Sequence, residues 1–125
     1  MGLEVQRVGE HEFLGRNERG AEGAFSPAEL LEIATAGCSA VTAEQLIMRR
    51  PGDNSRFSVA VSADRQEDAA ELDALHIRFD VDLSALDGEE RAALATAVNR
   101  AIDRLCTVSR TLKKGIPVYD EFPAE

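Results

Sequence analysis

Seven consecutive small residues decide the fold of this chain, and they read Ala34-Thr35-Ala36-Gly37-Cys38-Ser39-Ala40. Because no side chain in this run is large, other segments can approach a helix built from it closely from several directions. We therefore expect the helix to be central and buried. Gly37 costs such a helix about 1 kcal/mol relative to Ala, a cost that close packing beside the neighbouring thiol would explain.

Signals for the two ends of this helix flank the run. Ser26 can cap the free N–H groups, Pro27 fits the first helical position, and Glu29 can reach back to complete a capping box. The sequence Pro51-Gly52-Asp53-Asn54 stops a helix. The pattern therefore predicts a helix from Ser26 to about residue 50.

Alternating apolar residues predict strands on both sides of this helix. Residues 1–25 alternate weakly and are broken by glycines, which predicts short strands joined by tight turns. Residues 57–63 and 75–83 alternate strictly, which is typical of antiparallel strands with one buried face. The polar stretch 64–72 between them predicts an exposed loop, and residues 116–122 predict a last strand.

A second helix is predicted over residues 88–105. One stripe of this helix is apolar and consists of Leu94, Val98, Ala101, Ile102 and Leu105. A short turn or helix after Cys106 ends at Lys113-Lys114-Gly115, where cations and a glycine suit a helix C-terminus. This order of elements predicts an α+β fold. The length and the lack of repeats or linkers predict one domain over residues 1–125.

The composition excludes several classes of partner. With 14 basic and 23 acidic residues the formal charge is −9, which argues against binding to nucleic acid or to an anionic membrane. No stretch reads as a signal peptide or a membrane span, so we expect a cytoplasmic protein. Two cysteines are too few for a secreted disulfide scaffold but enough for a redox pair.

Each cysteine has two interpretations. Cys38 is either a reactive thiol or a plain core residue, since free Cys behaves as a small hydrophobe. Cys106 is either a thiol whose pKa is lowered by a helix start or a buried end of the apolar stripe. The separation of the two along the chain leaves their pairing open. A metal site is not expected, because His11, His76 and the two cysteines are dispersed without paired spacing.

Two motifs surround the cysteines. The first is Phe25-Ser26-Pro27-Ala28-Glu29-Leu30-Leu31 followed by Ala36-Gly37-Cys38-Ser39, and the second is Cys106-Thr107-Val108-Ser109-Arg110-Thr111-Leu112. Together they resemble the OsmC/Ohr family of osmotically inducible and organic hydroperoxide resistance proteins, over residues 11–122. The resemblance implies an OsmC-like fold, an antiparallel sheet with central buried helices. It also implies an intertwined homodimer with active sites at the subunit interface.

The resemblance also implies an activity, that of a thiol peroxidase that prefers organic hydroperoxides and needs no cofactor. Cys38 would be the peroxidatic thiol and Cys106 the resolving thiol, and an external dithiol would reduce the disulfide between them. An arginine from an N-terminal strand would stabilise the thiolate, a role that Arg16 fits best and Arg19 second. The alternative for either arginine is a turn residue that faces water.

Three departures from the family pattern leave other functions open. Ala28 stands ten residues before Cys38, where the hydroperoxide-resistance branch has a Glu, and Thr107 stands where a Pro is frequent. The segment 19–26 is also short for the family. The chain is therefore more similar to the broad OsmC-like group than to the peroxidase branches. The alternatives are a non-catalytic dimer that binds a small apolar ligand or a partner, and a thiol redox sensor.

Overall fold

The computed structural model describes residues 2–10, 12–16, 25–49 and 57–124 of the chain. Their elements are β1 (Leu3–Gly9), β2 (Glu12–Arg16), α1 (Pro27–Met48), β3 (Ser58–Asp64), β4 (Ala74–Asp80), α2 (Gly88–Leu105) and α3 (Thr107–Lys114). The predicted α+β class is confirmed.

The strands form one antiparallel sheet in the order β2-β1-β3-β4. β1 and β2 are a hairpin, which confirms the short N-terminal strands. In β3 and β4 the apolar residues alternate toward the inner face as predicted, with Val59 and Val61 fully buried and Ile77 and Phe79 packed beside them. β4 ends at Asp80, earlier than the predicted residue 83.

Helix α1 begins as its sequence predicts. The Ser26 hydroxyl accepts a hydrogen bond from the Glu29 N–H at 3.2 Å, and the Glu29 carboxylate accepts one from the Ser26 N–H at 2.9 Å. This reciprocal pair satisfies two N–H groups that a helix start otherwise leaves without partners. The helix runs to Met48 with Arg49 as its C-cap.

The small-residue run packs against the sheet on one side only. Ala36, Ala40 and Ala43 are completely buried, and they bring the α1 backbone close to the valines of β1 and β3. The opposite side of the run is open, because a Cβ atom added at Gly37 would meet nothing within 4 Å. The helix is central as predicted, since the sheet, α2 and α3 all pack on it, but the close packing expected at Gly37 is not present in the single chain.

Helix α2 packs on α1 through part of its predicted stripe. Leu94 is buried, Val98 and Ile102 are partly buried, and Leu105 at the end of the helix is 69% exposed, so the stripe stops before its predicted end. None of the described helices combines the length and apolar character needed to cross a membrane.

The C-terminal segment is exposed and is not a strand. Gly115, with a φ of 74°, ends α3, and residues 115–124 form no helix or strand. The predicted strand over 116–122 is therefore wrong for the single chain, since no described strand pairs with it. Its apolar side chains are exposed, including Ile116 at 58%, Val118 at 78% and Phe122 at 93%.

Candidate functional site

Cys106 is the single residue between helices α2 and α3. Its N–H donates to the Ile102 carbonyl at 3.1 Å and ends α2, while its carbonyl accepts from the Arg110 N–H at 2.9 Å and starts α3. Its backbone is extended and its side chain is completely buried against α1. The joint between two helices therefore fixes the position of this thiol.

Cys38 on α1 lies beside this joint. Its thiol interacts with the thiol of Cys106 and with the backbone N–H groups of Thr107 and Val108 in the first turn of α3. Cys106 supplies no side-chain cap for that turn. The Cys38 sulfur thus faces N–H groups that a helix start leaves without intrahelical partners. The structure brings together the two cysteines, which are 68 residues apart in the sequence.

The environment of Cys38 holds opposing influences on its pKa. Burial raises the pKa, and the neighbouring Cys106 raises it further, while the N–H groups of Val108 and Thr107 lower it. Burial is the largest of these and the net pKa of Cys38 is raised. The start of helix α3 therefore lowers the pKa of Cys38, the effect that the sequence predicted for Cys106. In the single chain this lowering is smaller than the increase caused by burial.

Ser39 links the two cysteines. It follows Cys38 on α1, only 3% of its surface is exposed, and its hydroxyl lies 3.9 Å from the Sγ atom of Cys106. That distance is within reach of a hydrogen bond to sulfur. Sequence reasoning missed this residue, because a serine within a run of small residues carries no signal beyond its size.

The structure places Arg16 on the other side of the sheet from α1. A Cβ at Gly15 would lie 3.2 Å from Ile33 of α1, so position 15 faces the helix. Adjacent side chains of a strand point to opposite faces, so Arg16 lies on the outer face, in one cross-strand row with Glu4 and Arg78. The second choice, Arg19, lies outside the described residues.

A different arginine of the N-terminal hairpin reaches α1. The Nε atom of Arg7 is 2.5 Å from Oε2 of Glu44, whose side chain is completely buried. Sequence reasoning missed this pair as well. The available signal was a Glu at the helical spacing of Ala40, Ala43 and Ile47, on an otherwise apolar face. Because Glu44 lies six residues beyond Cys38, it is on another side of the helix from the thiol.

A cleft of about 700 Å³ lies next to the dithiol, between α1, β4, α2 and α3. Leu75, Ile77 and Phe79 of β4 supply apolar walls, and Ser39 is shared between the cleft and the contact with Cys106. Cys38 does not line this cleft. Of the adjacent residues 38 and 39, only the serine therefore opens onto the cleft.

The described parts of the chain contain no group of three His, Cys, Asp or Glu side chains that could hold a metal ion. His76 is exposed and lies 2.7 Å from the carboxylate of Asp64. His11 falls outside the described residues.

Comparisons with known proteins agree with this architecture. The family model described as "OsmC-like protein" matches residues 20–119. The chain belongs to the OsmC-like family. The uncharacterized protein Rv2923c of Mycobacterium tuberculosis is 38% identical over 93% of this chain and 91% of its own length. Protein YhfA of Escherichia coli is 28% identical over 78% of this chain and 71% of its own.

A solved structure shows the same fold. The OsmC-like hydroperoxide resistance protein from Jannaschia sp. superposes with a TM-score of 0.55 at 14% identity, over 98% of this chain and 91% of that one. In the OsmC-like chain described here, position 28 is an alanine and Glu29 is held in the cap of α1. Among the described contacts, therefore, neither position 28 nor position 29 brings a carboxylate to Cys38.

Proposed function

We propose that this OsmC-like protein is a thiol-dependent peroxidase that reduces hydroperoxides, organic ones in preference to hydrogen peroxide, and so acts in the defence against oxidative stress. The observation that carries the proposal is the contact of Cys38 with both Cys106 and the first turn of α3. Cys38 is partly exposed and Cys106 is buried beside it, an arrangement that suits an attacking and a resolving thiol. The hydroperoxide resistance protein with the same fold supports the substrate class.

The proposed reaction balances with one hydroperoxide and one dithiol. The Cys38 thiolate attacks the terminal oxygen of the O–O bond, the alkoxide leaves and is protonated to an alcohol, and Cys38 becomes a sulfenic acid. The Cys106 sulfur then attacks the Cys38 sulfur, an S–S bond forms, and the hydroxyl leaves as water. An external dithiol reduces the disulfide by exchange. Two free thiols at rest fit the reducing cytoplasm, which the proposal takes as the location.

The thiolate requires a cation that the described contacts of one chain do not bring to Cys38. Burial raises the pKa of Cys38, and a positive charge close by would lower it. Arg16 faces away from the thiol of its own chain. The proposal therefore assigns Arg16, or Arg19 as second choice, to the thiol of a second chain across a subunit interface.

A homodimer is part of the proposal, and two open apolar surfaces support it. One open face of α1 lies next to Cys38. It consists of four residues at helical spacing, namely Leu30, Ala34, Gly37 and Val41. The C-terminal segment, residues 115–124, exposes several large apolar side chains. A second copy would cover both surfaces and bring its arginine to the site.

Steady-state turnover tests the enzymatic proposal. The protein should consume an alkyl hydroperoxide continuously with a small dithiol, and Cys38→Ser should abolish consumption. Cys106→Ser should form a sulfenic acid but no intramolecular disulfide. A redox sensor would instead form the Cys38–Cys106 disulfide once and show no turnover.

The cleft favours a second candidate function, the binding of a small apolar ligand without catalysis. Its volume of about 700 Å³ lies within the range of about 300–1,000 Å³ typical of ligand sites. Binding of a fluorescent fatty acid that persists in Cys38→Ser, together with an absence of hydroperoxide turnover in the wild type, would favour this alternative.

A further inference from the structure

We infer that Ser39 is a positioning residue for Cys106, holding its sulfur for attack on oxidised Cys38. The inference rests on the proposed function and deepens it, because it assigns a role in the second chemical step. It starts from the 3.9 Å contact between the Ser39 hydroxyl and the Cys106 Sγ atom.

The hydroxyl of Ser39 differs from other hydroxyls on the same helix. The Thr35 and Thr42 hydroxyls each donate to a carbonyl one turn back, those of Leu31 and Cys38, both at 2.8 Å. Such back-bonding is the usual local solution for a hydroxyl inside a helix. The Ser39 hydroxyl instead contacts the sulfur of another element, and either group can donate in this contact. The contact therefore joins α1 to the joint between α2 and α3.

The buried surroundings of Cys106 give this contact a chemical role. No part of the Cys106 side chain is exposed, so water cannot orient its sulfur or stabilise it when the sulfur loses its proton. A hydroxyl that donates to the sulfur favours the charged form and keeps the side chain in one rotamer. Ser39 and Cys38 are consecutive on α1, so the helix that presents the sulfenic acid also holds the attacking sulfur.

The step assisted by Ser39 is the condensation of the two sulfurs. Cys106 loses its proton and attacks the Cys38 sulfur, the S–O bond breaks, and the hydroxyl leaves with that proton as water. The sulfenic sulfur is reduced, the thiol sulfur is oxidised, and no reagent beyond the original hydroperoxide is required. Ser39 takes no part in the attack of Cys38 on the peroxide.

Rapid-mixing kinetics that separate the two steps test this role. Sulfenic acid formation is followed by trapping with dimedone, and disulfide formation by the loss of the Cys106 thiol to alkylation. In Ser39→Ala the rate of sulfenic acid formation should stay within about twofold of the wild type. The rate of disulfide formation should fall about tenfold, the effect expected of one lost hydrogen bond. The control Thr42→Val removes a hydroxyl that bonds only within its helix, and it should leave both steps within about twofold.

Rescue by a conservative variant separates positioning from packing. Ser39→Thr retains the hydroxyl and should restore disulfide formation to within about threefold of the wild type. A wild-type rate of disulfide formation in Ser39→Ala would overturn the inference, and so would equal slowing of both steps. If wild-type Cys38 forms no sulfenic acid, the proposed function itself fails. If Ser39→Ala forms the disulfide at the wild-type rate while Cys38 still forms a sulfenic acid, only the role of Ser39 is rejected and the proposed function is retained.

Discussion

Arg7 of the first strand and Glu44 of the central helix form a nearly buried ion pair, with Nε and Oε2 2.5 Å apart. The Arg7 side chain is 11% exposed and the Glu44 side chain 0%. The pair ties the N-terminal hairpin to α1 in one register. Because α1 also carries Cys38, the pair helps to set the position of the sheet relative to the thiol.

Removal of one member of this pair should destabilise the fold strongly. Glu44→Gln leaves a cation in an environment largely closed to water, and we expect a loss of about 3–5 kcal/mol in the free energy of unfolding. The control is Asp103→Ala, which removes an exposed partner of Lys113 and should cost no more than about 1 kcal/mol. Urea titration of both variants measures the difference, and equal losses would contradict a structural role for the pair.

The two sides of the small-residue run should respond differently to a large side chain. Ala36 is completely buried against the sheet, so Ala36→Leu should overpack the core and cost about 1–3 kcal/mol or more. Position 37 is open in the single chain, so Gly37→Leu should retain the fold and weaken the dimer. Thermal unfolding and light scattering measure the two effects. If Gly37→Leu still forms a stable dimer, this face of α1 is not part of the interface.

The C-terminal segment should matter for assembly and not for the fold of the single chain. Val118 and Phe122 are 78% and 93% exposed, so the double variant Val118→Asp, Phe122→Asp should leave the core intact and shift the dimer to monomer. Tyr119→Ser, which replaces an exposed side chain of the same segment without adding a charge, is the matched control. Light scattering across a dilution series gives the dimer dissociation constant, and an unchanged constant would exclude the segment from the interface.

These contrasts show which features a sequence can predict. The cap of α1 and the alternation in β3 and β4 depend only on residues close together in the sequence. Ser26, Glu29 and the valines of β3 therefore predict them directly. Residues 116–122 have the pattern of a strand, but a strand also requires a neighbour, which the described part of the chain does not supply.

The candidate site was predictable only in part. The cysteines stood out by their small neighbours and by the family motifs. The place of Cys106 at the end of α2 was predicted, but the contact of Cys38 with α3 leaves no local pattern, because it joins two distant parts of the chain. Arg7 and Glu44 were missed for the same reason, because each side chain is explained only by its partner on another element.

The titration of Cys38 should reveal the cation that the proposal requires. Burial raises the pKa of this thiol in the single chain, so a nearby arginine must lower it to give a thiolate near neutral pH. In a Cys106→Ser background, Arg16→Ala should therefore move the pH midpoint of iodoacetamide modification upward, and slow modification at neutral pH. Arg78→Ala, in the same cross-strand row, is the control and should leave the midpoint unchanged.

If the pH midpoint of Cys38 modification is unchanged in Arg16→Ala, Arg16 is not the cation that lowers the pKa of Cys38. The same titration of Arg19→Ala then tests the second choice. If neither variant moves the midpoint, neither Arg16 nor Arg19 serves the thiol.

The central claim is that Cys38 and Cys106 form a reactive dithiol, and stoichiometric oxidation tests it most directly. The reduced protein is mixed with one equivalent of an alkyl hydroperoxide, and the thiols are followed by mass spectrometry of alkylated peptides. We expect rapid loss of both thiols and a peptide pair joined by a Cys38–Cys106 disulfide. A Cys38 thiol that survives this treatment unchanged would contradict the claim.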